Sequence, residues 1–142
     1  MPTSNAEATW EGKLASGGGK FRAGSGAFEG AFTVATRFGG AKGTNPEELI
    51  AAAHASCLSM ALSGVLEKAG TPATRITVNA ACTVEKVGDG FKITRMALRV
   101  RGQVPGQDEA GFRQAAEAAK NGCPVSQALQ HNVQLELDAA LG

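Results

Sequence analysis

A chain of 142 residues, 43% of them hydrophobic, is long enough to bury one hydrophobic core but not two independent ones, so residues 1–142 are expected to form a single domain. Its 14 basic and 13 acidic residues nearly cancel and are scattered, without the basic stripe or tail of a nucleic-acid-binding surface. Met1 to Glu7 is polar and lacks the charged head and apolar middle of a secretory signal, so a cytoplasmic location is expected, where three cysteines point to reactive or buried thiols and not to a disulfide framework.

The opening forty residues read as short strands broken by glycine turns: Ala8 to Leu14, Lys20 to Ala23 and Ala31 to Phe38, with a turn at Gly17-Gly18-Gly19. A long helix follows. Asn45 can cap it, Pro46 suits its first position, Glu48 stands where a capping box needs it, and Gly70 with Pro72 stops it after about Ala69. Such a helix is roughly 36 Å long, whereas a compact domain of this size has a radius of gyration of about 14 to 15 Å. Ala51, Ala52, Ala53, Ala55, Ala61 and Gly64 interleave with Leu49, Ile50, Leu58, Met60, Leu62 and Leu66, so the helix is expected to be buried all round. One small sheet covers one side, and an identical subunit is the simplest cover for the rest. The 18 residues Leu49 to Leu66 carry no formal charge, which meets the lower limit for a membrane span. The alanine content, with His54, Ser56, Ser59 and Ser63, makes this a poor span, and no membrane association is expected.

From Thr74 to Val87, the residues Ile76, Val78, Ala80, Cys82 and Val84 alternate with polar ones, the period of a half-buried strand. Gly88-Asp89-Gly90 supplies a hairpin turn. In the returning strand, Phe91 to Val104, Phe91 and Ile93 share one parity while Met96, Leu98 and Val100 share the other, which calls for a bulge near Thr94 or Arg95. Helices are expected from about Asp108 to Lys120 and from Cys123-Pro124 to about Gln130. A last strand points Val133, Leu135, Leu137 and Ala139 one way. Strands, helix, strands, helices and strand in that order make an α+β fold, not a βαβ repeat.

Several side chains can carry chemistry. Cys57 lies mid-helix, where a buried structural thiol is the bland reading. Cys123 precedes Pro124 at a helix start, where unpaired N–H groups favour a thiolate, although a cysteine that only fills a capping site is the competing reading. Cys82 points into the core with its strand neighbours. His54, three residues before Cys57, suggests a Cys-His pair or two metal ligands, but His131 is the only other histidine and no third ligand clusters nearby, so a packing role is preferred and no metal is expected. Arg37, expected in a strand, requires a carboxylate if buried, and Glu47 and Glu48 are nearest in sequence.

Thr36-Arg37-Phe38-Gly39-Gly40, the run from Gly43-Thr44-Asn45-Pro46-Glu47-Glu48-Leu49 to Cys57, and Ala119-Lys120-Asn121-Gly122-Cys123-Pro124-Val125-Ser126 together strongly resemble the OsmC/Ohr family of cysteine-based hydroperoxide reductases. The likeness extends from Ala8-Thr9-Trp10-Glu11-Gly12 to the last strand. The His54 context and the Glu47-Glu48 pair resemble the OsmC branch more than the Ohr branch. Leu58, where an aromatic residue commonly follows the reactive cysteine, and the additional Cys82 depart from the pattern.

The resemblance implies antiparallel sheets wrapped around long central helices in an intertwined homodimer. It implies Cys57 as the peroxide-attacking thiol, Cys123 as the resolving thiol, Arg37 and Glu47 as the ion pair that serves them, and no cofactor. The expected reaction takes Cys57 to a sulfenic acid and then to a disulfide with Cys123, which an external thiol or dithiol resets. Organic hydroperoxides are the expected substrates, with hydrogen peroxide as well, in defence against oxidative or osmotic stress. Glu47 and Cys57 stand ten residues apart in one helix, about 15 Å along its axis, so the ion pair is expected to reach Cys57 across the dimer. A hydrolase or acyl-transfer enzyme using Cys57 with His54 as base, and a redox-sensing dimer without useful turnover, are the competing functions.

Overall fold

The computed structural model describes residues 1–142, which form two compact units, 1–49 and 50–142. The first holds a three-stranded antiparallel sheet of β1 (Ala6–Glu11), β2 (Gly18–Ala23) and β3 (Glu29–Phe32), paired in that order. Phe21 lies against Phe28 and Phe32, and Trp10 against Phe32, so aromatic contacts supply much of what a sheet this small can bury.

The expected strand from Ala31 to Phe38 ends at Phe32. The chain turns there into a short helix, α1 (Val34–Phe38), which carries Arg37. Thr33 and Thr36 exchange side-chain hydrogen bonds with each other's backbone N–H groups. This reciprocal cap overrides the strand preference of Val34 and Thr36.

The long helix α2 (Pro46–Lys68) begins as expected: the Asn45 side-chain oxygen accepts the Glu48 N–H at 2.8 Å, and Pro46 occupies the first turn. All of it from Ile50 onward belongs to the second unit. There β4 (Arg75–Val87) and β5 (Gly90–Gln103) form a long antiparallel hairpin, flanked by β6 (Gln134–Leu141). Thr83 pairs with Arg95 and Val84 with Ile93, leaving Thr94 as the extra residue of the expected bulge.

The expectation of purely antiparallel sheets is corrected at one edge, because β6 runs parallel to β5. Parallel neighbours need a crossover of a dozen or more residues. The segment carrying α3 (Glu109–Gly122) and α4 (Pro124–Leu129) provides it.

Leu58, Leu62 and Leu66 of α2, spaced by four, form the core with Met96, Leu98 and Val100 of β5 and with Phe112, Ala116 and Ala119 of α3. Cys82 packs at the margin of this core, on the side expected of it. By length and composition α2 also meets the test for a membrane-crossing helix, yet its leucine stripe is fully buried within the second unit. The helix is not covered all round by its own chain. Ala52, Ala53, Ser56, Met60 and Ser63 form an open face, and Met60 is 76% exposed.

Candidate active site

Cys57 sits on α2, one residue before the core residue Leu58, and is half-buried. Cys123 is fully buried at the joint where α3 ends and α4 begins: its N–H donates to the Ala119 carbonyl and its own carbonyl accepts from Gln127. The crossover brings the two together. Their Sγ atoms lie 2.7 Å apart, share a hydrogen bond, and are both reduced. A disulfide of about 2.05 Å therefore needs only a small movement of either side chain.

The surroundings treat the two sulfurs differently. Burial pushes the Cys57 thiol above its ordinary pKa, the hydrogen bond and the charge of Cys123 push the same way, and only the Val125 N–H opposes them. Burial also acts upward on Cys123, but hydrogen bonds from Cys57, from the N–H and hydroxyl of Ser126 and from the Val125 N–H outweigh it, so its pKa is lowered. No cation contributes to Cys57. A positive group brought to Cys57 would favour its thiolate.

In the first unit, the capped helix α1 presents Arg37 to the start of α2. Its Nε donates to Glu47 Oε1 at 3.0 Å and to Oε2 at 3.2 Å, and its Nη2 donates to Oε1 at 2.6 Å. Glu47, 5% exposed, is the partner, while Glu48 instead accepts from Thr44 and helps close the helix start. The guanidinium also lies over the Phe38 ring, 5.2 Å from its centroid. Its side chain keeps 38% of its exposure, which leaves donors for another group.

Two further side chains stand behind Cys123. His54, 0% exposed, has Nε2 at 2.7 Å from the hydroxyl of Ser126, itself 1% exposed. His54 is therefore packed as expected, but its partner is Ser126 and not Cys57. The sequence pairing of His54 with Cys57 by helix spacing missed Ser126, which lies 72 residues away and meets it only through tertiary packing.

A family model described as OsmC-like protein matches residues 39–138, which carry both cysteines and Glu47. The chain is 46% identical over 131 residues to Peroxiredoxin OsmC of Escherichia coli strain K12, covering 92% of each protein. The chain belongs to the OsmC family. It is also 31% identical over 103 residues to the organic hydroperoxide resistance protein of Xanthomonas axonopodis pv. citri, covering 71% of this chain and 70% of that one. The crystal structure of an organic hydroperoxide resistance protein from Elizabethkingia anophelis superposes with a TM-score of 0.82 at 26% identity, covering 100% of this chain and 98% of that one. The fuller match to the OsmC relative accords with the branch expected from His54 and the Glu47-Glu48 pair.

Proposed function

We infer that this OsmC-family chain is a thiol-dependent peroxidase that reduces organic hydroperoxides, and hydrogen peroxide as well, working as one OsmC-like domain over residues 1–142. The observation that carries the reading is the 2.7 Å approach of Cys57 and Cys123, two thiols 66 residues apart in sequence. The coverage of 92% of the chain by a relative named peroxiredoxin, and the hydroperoxide resistance of the other relatives, support the same activity.

In the proposed cycle the Cys57 thiolate attacks one oxygen of the peroxide. An S–O bond forms, the O–O bond breaks, and the departing oxygen takes up a proton and leaves as alcohol or water. Cys123 then attacks the sulfenic sulfur: an S–S bond forms, the S–O bond breaks and water leaves. An external thiol or dithiol reduces the disulfide, and a reducing, cytoplasmic setting supplies it.

The Arg37–Glu47 pair completes the site in this proposal, reaching Cys57 of the partner in a homodimer. Helix length supports the assignment to the partner, because Glu47 and Cys57 of one chain are separated by about 15 Å of α2. The open face of α2, small except for the apolar Met60, supports the dimer, since it offers a second copy both close approach and apolar surface to bury. Arg37 would favour the Cys57 thiolate over the thiol and donate to the oxygen on which charge develops. A service in defence against oxidative stress follows from this chemistry, and a role in osmotic stress is what the family resemblance implies.

One equivalent of organic hydroperoxide added to the reduced protein, followed by peptide mass spectrometry, tests the pairing. The expected product links Cys57 to Cys123 within one chain and leaves Cys82 reduced. A link through Cys82 would overturn the assignment.

A further inference from the structure

Behind the resolving thiol lies a short chain of buried polar groups that the peroxidase cycle above does not use. Ser126 is the third residue after Cys123, which caps α4, so the two share the first turn of that helix. Its hydroxyl and N–H both favour the Cys123 thiolate, helping to lower the pKa of that thiol. On its other side the same hydroxyl oxygen meets His54 Nε2 at 2.7 Å, with both residues inaccessible to solvent.

A hydroxyl carries one proton, so it can donate to the sulfur or to the imidazole but not to both at once. The second imidazole nitrogen decides between them. His54 Nδ1 is buried without any hydrogen-bond partner. If Ser126 donated to Nε2, the neutral ring would carry its proton on Nδ1 and bury an N–H with no acceptor, a state folded proteins almost never tolerate. An unmatched acceptor is less unusual. Burial also keeps the ring neutral, lowering the His54 pKa below its ordinary value. The proton therefore belongs on Nε2, the imidazole donates to Ser126, and the Ser126 proton is left for sulfur.

We propose that His54 is a positioning residue for the resolving step: its Nε2–H fixes the Ser126 hydroxyl so that this hydroxyl donates to Cys123 and presents that sulfur as the nucleophile that attacks oxidised Cys57. The step to which this arrangement is assigned rests on the peroxidase reading, but the arrangement itself can be read without peroxide.

Nitrogen NMR of the unsubstituted protein with labelled histidine is expected to find the His54 proton on Nε2. A proton on Nδ1 overturns the proposal, whatever any variant does. In a Cys57→Ser background, where Cys123 titrates alone, its Cβ chemical shift followed against pH is expected to show that Ser126→Ala and His54→Leu each raise its pKa by about one unit, roughly tenfold less thiolate below it. His54→Gln, whose amide N–H can take the place of Nε2–H, is expected to stay within about twofold of the parent. A purely structural histidine predicts no such rescue. If His54→Leu left the Cys123 pKa unchanged or lowered it, the hydroxyl would have been donating to the ring and the proposal would fail. With Cys57 restored and peroxide added, His54→Leu is expected to accumulate the Cys57 sulfenic acid, with disulfide formation slowed roughly tenfold to match the lost thiolate. A protein with the proton on Nε2 whose Cys57 is never oxidised by peroxide sinks the peroxidase reading, and with it the step assigned here. A proton on Nδ1 in a protein that does consume peroxide sinks this proposal alone.

Discussion

Cys57→Ser is expected to abolish peroxide consumption, lowering steady-state turnover with a dithiol reductant by at least about a thousandfold, because a serine hydroxyl beside Cys123 has neither the acidity nor the nucleophilicity of a thiolate. Cys123→Ser is expected to behave differently. It should retain the first oxidation of Cys57, seen as one sulfenic acid per chain, and then stall, because the sulfur that lies 2.7 Å away has been removed. Stopped-flow oxidation combined with a sulfenic-acid trap separates the two. An acyl-transfer enzyme using Cys57 and His54 would be indifferent to Cys123, and His54 is hydrogen-bonded to Ser126 and not to Cys57. Full turnover in Cys57→Ser, or undiminished multiple turnover in Cys123→Ser, would remove the basis for the peroxidase cycle.

Removal of the guanidinium should be nearly as damaging. Burial raises the Cys57 pKa, and no cation acts on it in the isolated chain. Arg37→Ala is therefore expected to slow the first oxidation by about a hundredfold to a thousandfold. The pH at which that rate is half-maximal should also move upward, since the thiolate is lost as pH falls through a pKa that Arg37 no longer holds down. This variant leaves Glu47 buried and unpaired, which destabilises the fold by itself. The double variant Arg37→Ala/Glu47→Ala removes that complication and should be equally slow. Mixed dimers make the sharper measurement. A dimer of one Cys57→Ser chain and one Arg37→Ala chain should regain one working site, because the intact cysteines of one chain meet the intact arginine of the other. Recovery to about half the parental rate is expected if sites are shared across the dimer. A mixture no faster than its inactive parents would refute sharing.

The hairpin of β4 and β5 was legible because alternation encodes burial directly: the parity switch between Ile93 and Met96 marked the bulge that Thr94 occupies. The start of α2 was legible because Asn45, Pro46 and Glu48 act locally. Arg37 was misplaced onto a strand because the Thr33–Thr36 cap lacks the acidic or amide residue that usually signals such a box. The direction of β6 depends on where a thirty-residue crossover returns, and alternation along a strand is the same whether its neighbour runs with it or against it. The pairing of Cys57 with Cys123 came from family motifs, since no local rule joins residues so distant. The partner of His54 was invisible for the same reason. A serine on a six-residue helix carries no mark of what will be packed against it.

The crossover that makes β6 parallel has a mechanical consequence for the oxidised protein. A disulfide between Cys57 and Cys123, as proposed, would close a ring that holds the far half of α2, the whole β4–β5 hairpin and α3. Tying off a loop of some sixty-odd residues restricts the unfolded chain enough to favour the native state by about 4 kcal/mol. In the proposed cycle each turnover would alternately fasten and loosen the second unit, and its melting temperature would then gauge how much of the population awaits reduction.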